Sequence, residues 1–366
     1  MNASPTCYDI HGILTVHSEV ALPELAAFRV DELQDEPTVD VRLGNIDAPC
    51  YPAGSRTVTY RERVGRHGFA IRLELGPRAT IIASPFLSTS PHVLYTNAVE
   101  PVLRWAFVER GYALVHGACL SADGRAFIIT ARTDTGKTTT VLKTLDAHPE
   151  YCFLSDDLTL LREDGVVLPY PKPLTISRHT LHAVNTPLLS GPERTALFFQ
   201  SRLHSKTGRS FGFLLTRCRL PMATMNALVQ RMVPPPKYHI QRLVPHARLA
   251  QTARLAGIVV IERGDARLIT LDHQEAVDTM LANSDDSYGF PPYEEIKEHL
   301  YITEHGDLRV DERRIIAAAV KARPAIVLRS ETRNWFQQIP DFISRVTAPT
   351  PWFETHLSAG VEAAGE

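Results

Sequence analysis

The sequence predicts a mixed α/β fold (α+β, with a mixed sheet) preceded by a mainly antiparallel β region, on three observations. Short alternating or β-branched runs fill the first 84 residues. Apolar strand patterns and one strong helix pattern then share residues 112 to 168. The strand patterns there meet at short turns instead of long helical crossovers. Tight turns join antiparallel neighbours, so a sheet that also contains strand–helix–strand passages must be mixed.

The β region is carried by HGILTVHSEV, TVDVRL, TVTYRERV, FAIRLEL and ATIIAS, which lie between Tyr8 and Ser84 and are separated by Pro, Gly, Asp and Asn. Residues 1–96 are assigned to this N-terminal β-rich domain. Val99 to Gly111, opened by Asn97 and with Pro101 near its first turn, reads as a helix that starts a second domain over residues 97–346. In that domain YALVHGACLSADG and RAFIITA read as two strands joined at Asp123-Gly124, and a helix begins near Gly136 and runs through VLKTL. YCFLSDDLTLLREDGVVLPYP adds further strands, the last two joined at Asp164-Gly165. GIVVIERG reads as a buried strand, HQEAVDTMLAN as a helix capped by Asp272, PAIVLRS as a strand and NWFQQIPDFISRV as an amphipathic stretch. Residues 347–366, rich in Pro, Thr, Ala and Gly, predict a mobile tail.

With 366 residues, 44% of them apolar, the chain has the length for two or more domains and enough apolar mass for a substantial core. A net charge of −2 and a pI near 6.7 argue against nucleic acid and membrane as partners. Cys7, Cys50, Cys119, Cys152 and Cys218 are scattered without a CxxC pair, which fits neither a zinc ribbon nor a disulfide framework. No basic leader and no long apolar run occur, so the reading is a soluble cytoplasmic protein, compatible with a homo-oligomer.

The strand and helix around FIITARTDTGKTTTVLK enclose Ala131, four residues, then Gly136-Lys137-Thr138, the phosphate-binding loop pattern with Ala in first place. The candidate cradle is Ala131, Arg132, Thr133, Asp134, Thr135 and Gly136, continued by Lys137, Thr138 and Thr139 at the helix start. Successive backbone N–H groups wrap the phosphates of ATP, the helix dipole favours negative charge, Lys137 reaches the β/γ oxygens and the Thr138 hydroxyl ligates Mg2+. Ala131 is unstrained provided that its φ stays negative. About twenty residues on, Asp156-Asp157 ends an apolar strand. Two such carboxylates can divide the work, one holding magnesium and the other accepting a proton from an attacking hydroxyl. His116-Gly117 lies on the strand before the hairpin. Arg202, Lys206, Arg209, Lys237 and Arg242 are candidate partners for a phosphoryl group or an anionic acceptor, and Lys172, close behind the Asp-Asp pair, is a stronger one. NSDDSYGFPPYEEIKEHL, with Asp285-Asp286, reads as a lid, an acceptor pocket or a Pro-rich surface loop.

The stretch VHGACLSADGRAFIITARTDTGKTTTVLKTL followed by FLSDDLTLL resembles the catalytic core of the HPr serine kinase superfamily, which shares its fold with ATP-dependent phosphoenolpyruvate carboxykinase. The shared order is a His-Gly strand, a hairpin, a phosphate loop, a helix and a strand ending in Asp-Asp. The resemblance implies that Gly136, Lys137 and Thr138 bind nucleotide and magnesium, and that His116 lies close to the reacting phosphates. It also implies that Asp156 or Asp157 is the base, with Asp156 favoured as base and Asp157 near the metal. The glycine-rich segment of true HPr kinases is replaced here by VVLPYPKPLTIS. The expectation is therefore a divergent kinase acting on a hydroxyl of a small molecule, peptide or protein. The alternative is a nucleotide-binding regulatory NTPase or switch without a phosphoryl acceptor.

Overall fold

The computed structural model describes residues 5–46, 56–65, 68–175, 180, 221–232, 234, 237–289 and 291–348. Strands β1 (Thr6–Ile10), β2 (Leu14–Ser18), β3 (Arg29–Val30), β4 (Val39–Leu43), β5 (Thr57–Arg61), β6 (Ala70–Glu74) and β7 (Ala79–Ala83) form one sheet in the order β3-β1-β2-β4-β7-β6-β5. Alternation sets its buried face: Tyr8 and Ile10, Leu14 and Val16, Ile81 and Ala83 all point inward. The flanks are antiparallel as expected, but β2–β4 and β4–β7 pair in parallel.

The next helix differs from expectation. It starts at Pro91 and runs through Pro91–Leu94, the π-helical turn Tyr95–Val99 and Glu100–Val108, here together α1. The expected boundary at residue 96 thus falls inside a helix, and Asn97 is interior, donating to the Val93 carbonyl instead of capping. The π turn lies just before Pro101, which has no N–H to donate, and there the Glu100 N–H reaches Tyr95 O. One apolar cluster runs from Tyr8 and Val16 of the first sheet through Val102 and Leu103 of α1 to Leu114 and Ile128 beyond.

The second sheet contains β8 (Tyr112–His116), β9 (Ala118–Ala122), β10 (Arg125–Thr130), β11 (Cys152–Ser155), β12 (Leu158–Arg162) and β13 (Val166–Leu168). Helix α2 (Lys137–Ala147) lies between β10 and β11, and the short pair β14 (Leu174–Thr175) and β15 (Lys237–Tyr238) flanks α3 (Met222–Met232) in sequence. β16 (Arg248–Leu249), β17 (Ala253–Glu262), β18 (Arg267–Leu271), α4 (His273–Tyr288), α5 (Tyr293–Tyr301), α6 (Leu308–Val320), β19 (Ala325–Arg329) and α7 (Trp335–Thr347) follow. The sheet order is β16-β11-β9-β10-β17-β13-β12-β8, with β19 beside β17 and β18 beside β19. β10–β17, β17–β19 and β11–β16 are parallel and the other pairs antiparallel, so the sheet is mixed, as the turn pattern predicts. Asp123 and Gly124, at φ 49° and 74°, make the expected tight turn. Asp272 caps α4 in a capping box with Glu275. α4 runs on to Tyr288, so Asp285-Asp286 sits in a helix and not in a Pro-rich loop.

The expected strand from Tyr112 to Gly124 is broken at Gly117. β8 pairs with β12 as far as His116 opposite Leu158, and β9 then pairs with β11, Cys119 opposite Ser155. The two chain segments change partners at one point, where Gly117 N–H donates to Asp157 O at 2.9 Å and Thr159 Oγ1 donates to Gly117 O at 2.8 Å. A Cβ on residue 117 would lie 2.8 Å from Ile128 Cγ2, so only glycine lets the strands approach. On the far face α2 and α7 cover the sheet, with Val141, Leu142, Trp335 and Phe342 against Phe127 and Ile129. Among the described residues no helix is long and apolar enough to cross a membrane, and Cys7, Cys119 and Cys152 are free thiols. Cys50 and Cys218 lie outside the described residues, as does the tail beyond residue 348.

Gly117→Ala should lower unfolding stability by about 1–3 kcal/mol, the usual range for overpacking. A denaturant midpoint equal to wild type would contradict the close approach at this crossing.

Candidate functional site

The loop after β10 is shaped by its backbone. Ala131 is buried and is not among the residues with positive φ, so alanine at the first motif position carries no strain. The left-handed positions are Asp134 at φ 65° and Gly136 at 129°, and at Gly136 a Cβ would also meet the Trp335 ring at 3.3 Å. Gly136 is the N-cap of α2 and supplies no capping side chain. The first-turn N–H groups therefore have no carbonyl a turn earlier, and the helix end favours an anion. Two outside elements hold the loop. Asp286 Oδ2 on α4 accepts from Thr133 N–H at 3.0 Å, and the Arg263 guanidinium donates to the carbonyls of Asp134 and Thr135.

At the strand crossing, ionisable side chains converge. His116 Nε2 is 2.8 Å from Lys137 Nζ, and His116 Nδ1 is 3.4 Å from Asp157 Oδ1, which is itself 3.7 Å from Lys137 Nζ. Lys172 Nζ donates to Asp157 Oδ2 at 3.0 Å and to Glu100 Oε2 at 2.7 Å. Thr138 Oγ1 donates to Asp156 Oδ2 at 2.8 Å. The His116 backbone is fixed on both sides: its N–H donates to Ser284 Oγ at 3.0 Å and its carbonyl accepts from Thr130 Oγ1 at 2.8 Å.

Burial, with the Lys137 charge adding to it, pushes the His116 imidazole down to about 3, so the ring is neutral at physiological pH. An ammonium has no lone pair to offer, so Nε2 accepts from Lys137 and the ring proton sits on Nδ1, which has no hydrogen-bond partner and lies 3.4 Å from Asp157 Oδ1. The two aspartates are driven apart. Burial raises Asp156 to about 6 against the pull of Lys137, with Asp157 adding to the rise. Burial also works to raise Asp157, but Lys172, with Lys137 adding to it, outweighs burial and holds the carboxyl well below the usual range. Adjacent carboxyls with opposite shifts are suited to different tasks. Asp156 is 8% exposed and its Oδ1 has no hydrogen-bond partner, whereas the Asp157 side chain is 43% exposed.

His116, Arg132 to Thr139 and Asp157 line one cavity of about 300 Å³, together with Thr175, Thr180 and Arg333. Asp156 stands behind it, reached through Thr138. The structure pairs the Thr138 hydroxyl with Asp156, whereas the resemblance placed Asp157 nearer the metal. A second cavity of about 610 Å³ shares Arg132 to Thr135 and opens on the Arg263 and Asn283 side. Lys172 joins the cluster, but it pairs with Asp157 and Glu100 and does not line the cavity, where the sequence makes it a partner for a phosphoryl group or anionic acceptor. Lys237 instead pairs with Glu24 and His92, and Arg242 lies over the Tyr238 ring. Arg202, Lys206 and Arg209 fall outside the described residues. Glu100, Arg263 and Arg333 escaped sequence reasoning, since each reaches the site from a distant element and carries no local pattern.

Among the described residues no group of three or more His, Cys, Asp and Glu side chains converges on a metal position. No family model matches the chain, and no curated protein matches it. Among solved structures, the HPr(Ser) kinase/phosphatase from Coxiella burnetii is similar at 9% identity and a TM-score of 0.27, covering 63% of this chain and 93% of that one. A likeness of that degree carries no argument, and the functional reading rests on the geometry of the site.

Asp156→Asn is expected to stabilise the unliganded protein at pH 8. The folded state holds this carboxyl near 6, above its unfolded value of 3.8, so folding favours the protonated form and an ionised Asp156 is destabilising above pH 6. The gain should be about 1–3 kcal/mol at pH 8 and should shrink as pH falls through 6 towards 4. Thermal melts of both proteins across that range test it; a pH-independent difference contradicts it.

Proposed function

We propose that this chain is an ATP- and magnesium-dependent kinase that transfers the γ-phosphoryl group to a hydroxyl of a small molecule, peptide or protein. The observation that carries the reading is the single cavity in which the open amide end of α2, Lys137, neutral His116 and ionised Asp157 share a wall. Phosphoryl transfer asks for positioning and for cations around the transferring group, and for a base near the acceptor.

The residues fit a magnesium ion. Asp156 presents an unpartnered buried oxygen next to the Thr138 hydroxyl, and magnesium needs only one or two protein oxygens beside phosphate and water. Thr138 and Asp156 would hold it, and its charge would neutralise the phosphate oxygens. Asp157 is then the acceptor-side carboxylate, the reverse of the assignment that the resemblance favours. Drawing the Lys137 ammonium towards phosphate removes one of the cations that depress Asp157 and so raises its basicity. Asp157 takes the proton of the acceptor hydroxyl, the new O–P bond forms, and the bond to the ADP oxygen breaks. Neutral His116, with its Nδ1 proton facing Asp157 and its Nε2 on Lys137, sets the geometry of both. This chemistry belongs to the cytoplasm, where ATP and magnesium are supplied.

The test is incubation with γ-labelled ATP and magnesium, with and without fractionated extract of the source cells. Label on a new molecule is the expected result; label released only as inorganic phosphate would favour a nucleotide switch. Lys137→Ala should weaken ATP binding by at least about tenfold, roughly 1.4 kcal/mol, in a folded protein. Asp157→Asn should keep ATP affinity within about tenfold while lowering transfer at least about a hundredfold. Near-wild-type transfer in Asp157→Asn would remove its assignment as base.

A further inference from the structure

We infer that Lys172, anchored by Glu100, is a positioning residue for the phosphoryl transfer proposed above, holding the Asp157 carboxylate in place from behind the cavity. Three separate elements meet here. Lys172 follows β13, Glu100 belongs to α1, and Asp157 sits in the β11–β12 turn. The ammonium is 3.0 Å from Asp157 Oδ2 and 2.7 Å from Glu100 Oε2, with the Lys172 and Glu100 side chains only 12% and 9% exposed. A lysine is ordinarily free to swing. This one is not: its Nζ lies 5.6 Å from the Tyr95 ring centroid, its backbone N–H bonds Tyr170 O at 2.8 Å, and the Tyr95 and Tyr170 hydroxyls bond each other at 2.8 Å.

Lys172 does not line the cavity that holds Lys137 and Asp157, so its ammonium acts through the carboxylate and not on the phosphates. Its importance follows from what nucleotide binding does to Asp157. Lys137 is shared between that carboxylate and the phosphates, and His116 is neutral. Once Lys137 turns to the phosphates, Lys172 is the cation that still orients the base. A purely structural ion pair would predict otherwise, because replacing one with apolar groups is often neutral for stability and would leave kcat where it is.

The experiment compares Lys172→Met, Lys172→Arg and the double variant Glu100→Gln/Lys172→Met, using MgATP as the probe. Equilibrium binding is measured alongside turnover to water, or to the acceptor once label transfer has revealed it. The expected result for Lys172→Met is a MgATP Kd within about threefold of wild type and a kcat at least about thirtyfold lower. Lys172→Arg should recover kcat to within about fivefold, since it restores the cation. If Lys172→Met does not fold, the double variant carries the test, because it also removes the stranded buried carboxylate. Wild-type kcat in Lys172→Met or the double variant, or no recovery with arginine, overturns the inference. A Kd that weakens in step with kcat also overturns it, by placing Lys172 on the phosphates. Wild-type protein that binds MgATP but never turns it over overturns the transfer reading itself, and this inference with it.

Discussion

One backbone hydrogen bond, from Gly117 N–H to the carbonyl of Asp157, marks the constraint on which the site depends. Two strand pairs exchange partners there, so residues about forty positions apart are held side by side by sheet register and not by side-chain chemistry. His116 and Asp157 flank that bond directly. The hairpin after β9 returns the chain as β10, and the loop that follows brings Lys137 to the same point. The geometry of a site built on strands in this way is fixed by the ladder and by the Ile128 side chain, which leaves no room for a larger residue at 117.

The same packing makes the site electrostatically unsettled. Burial works against every charge in the cluster, and the cluster answers with unequal compensation. Asp157 receives three basic neighbours, while Asp156 receives a hydroxyl and leaves one oxygen unpaired. Such an arrangement is unfavourable for the unliganded fold, and perturbed ionisable groups of this kind gather at functional sites. The α4 helix is part of the balance. Its last turns supply Asn283 to Thr130, Ser284 to the His116 N–H, Asp285 to the buried Arg104 and Asp286 to the loop. Arg104 in turn grips Glu312 of α6, so the loop is braced through the helical layer.

What was legible in the sequence was local. The Asp123-Gly124 turn, the left-handed Gly136, the helix that starts at Lys137 and the Asp272 cap each depend on a few adjacent residues, and each is found at its expected place. What distant contacts decide is not legible. Pro101 looked like a helix start, because nothing local reveals the π turn before it. A strand pattern running through Gly117 concealed a change of partner. Asp285-Asp286, next to prolines, reads as a lid, an acceptor pocket or a surface loop, yet α4 extends through it and is held there by Arg104 and the Thr133 amide. The opposite environments of Asp156 and Asp157 are not legible in the sequence, since neighbours along the chain differ here only in which faces they present.

The N-terminal sheet shares a continuous apolar core with the second sheet through α1, and α1 carries Glu100 to the edge of the site. The first sheet thereby adjoins the site through α1. The most direct measurement for the central claim, that the 131–139 loop holds nucleotide phosphates with magnesium, is calorimetric titration of the wild-type chain with ATP, ADP, AMP and adenosine, each with and without magnesium. The account predicts magnesium-dependent binding of ATP and affinity that falls as phosphates are removed. Equal affinity for ATP and adenosine, or no binding of ATP at all, would contradict it.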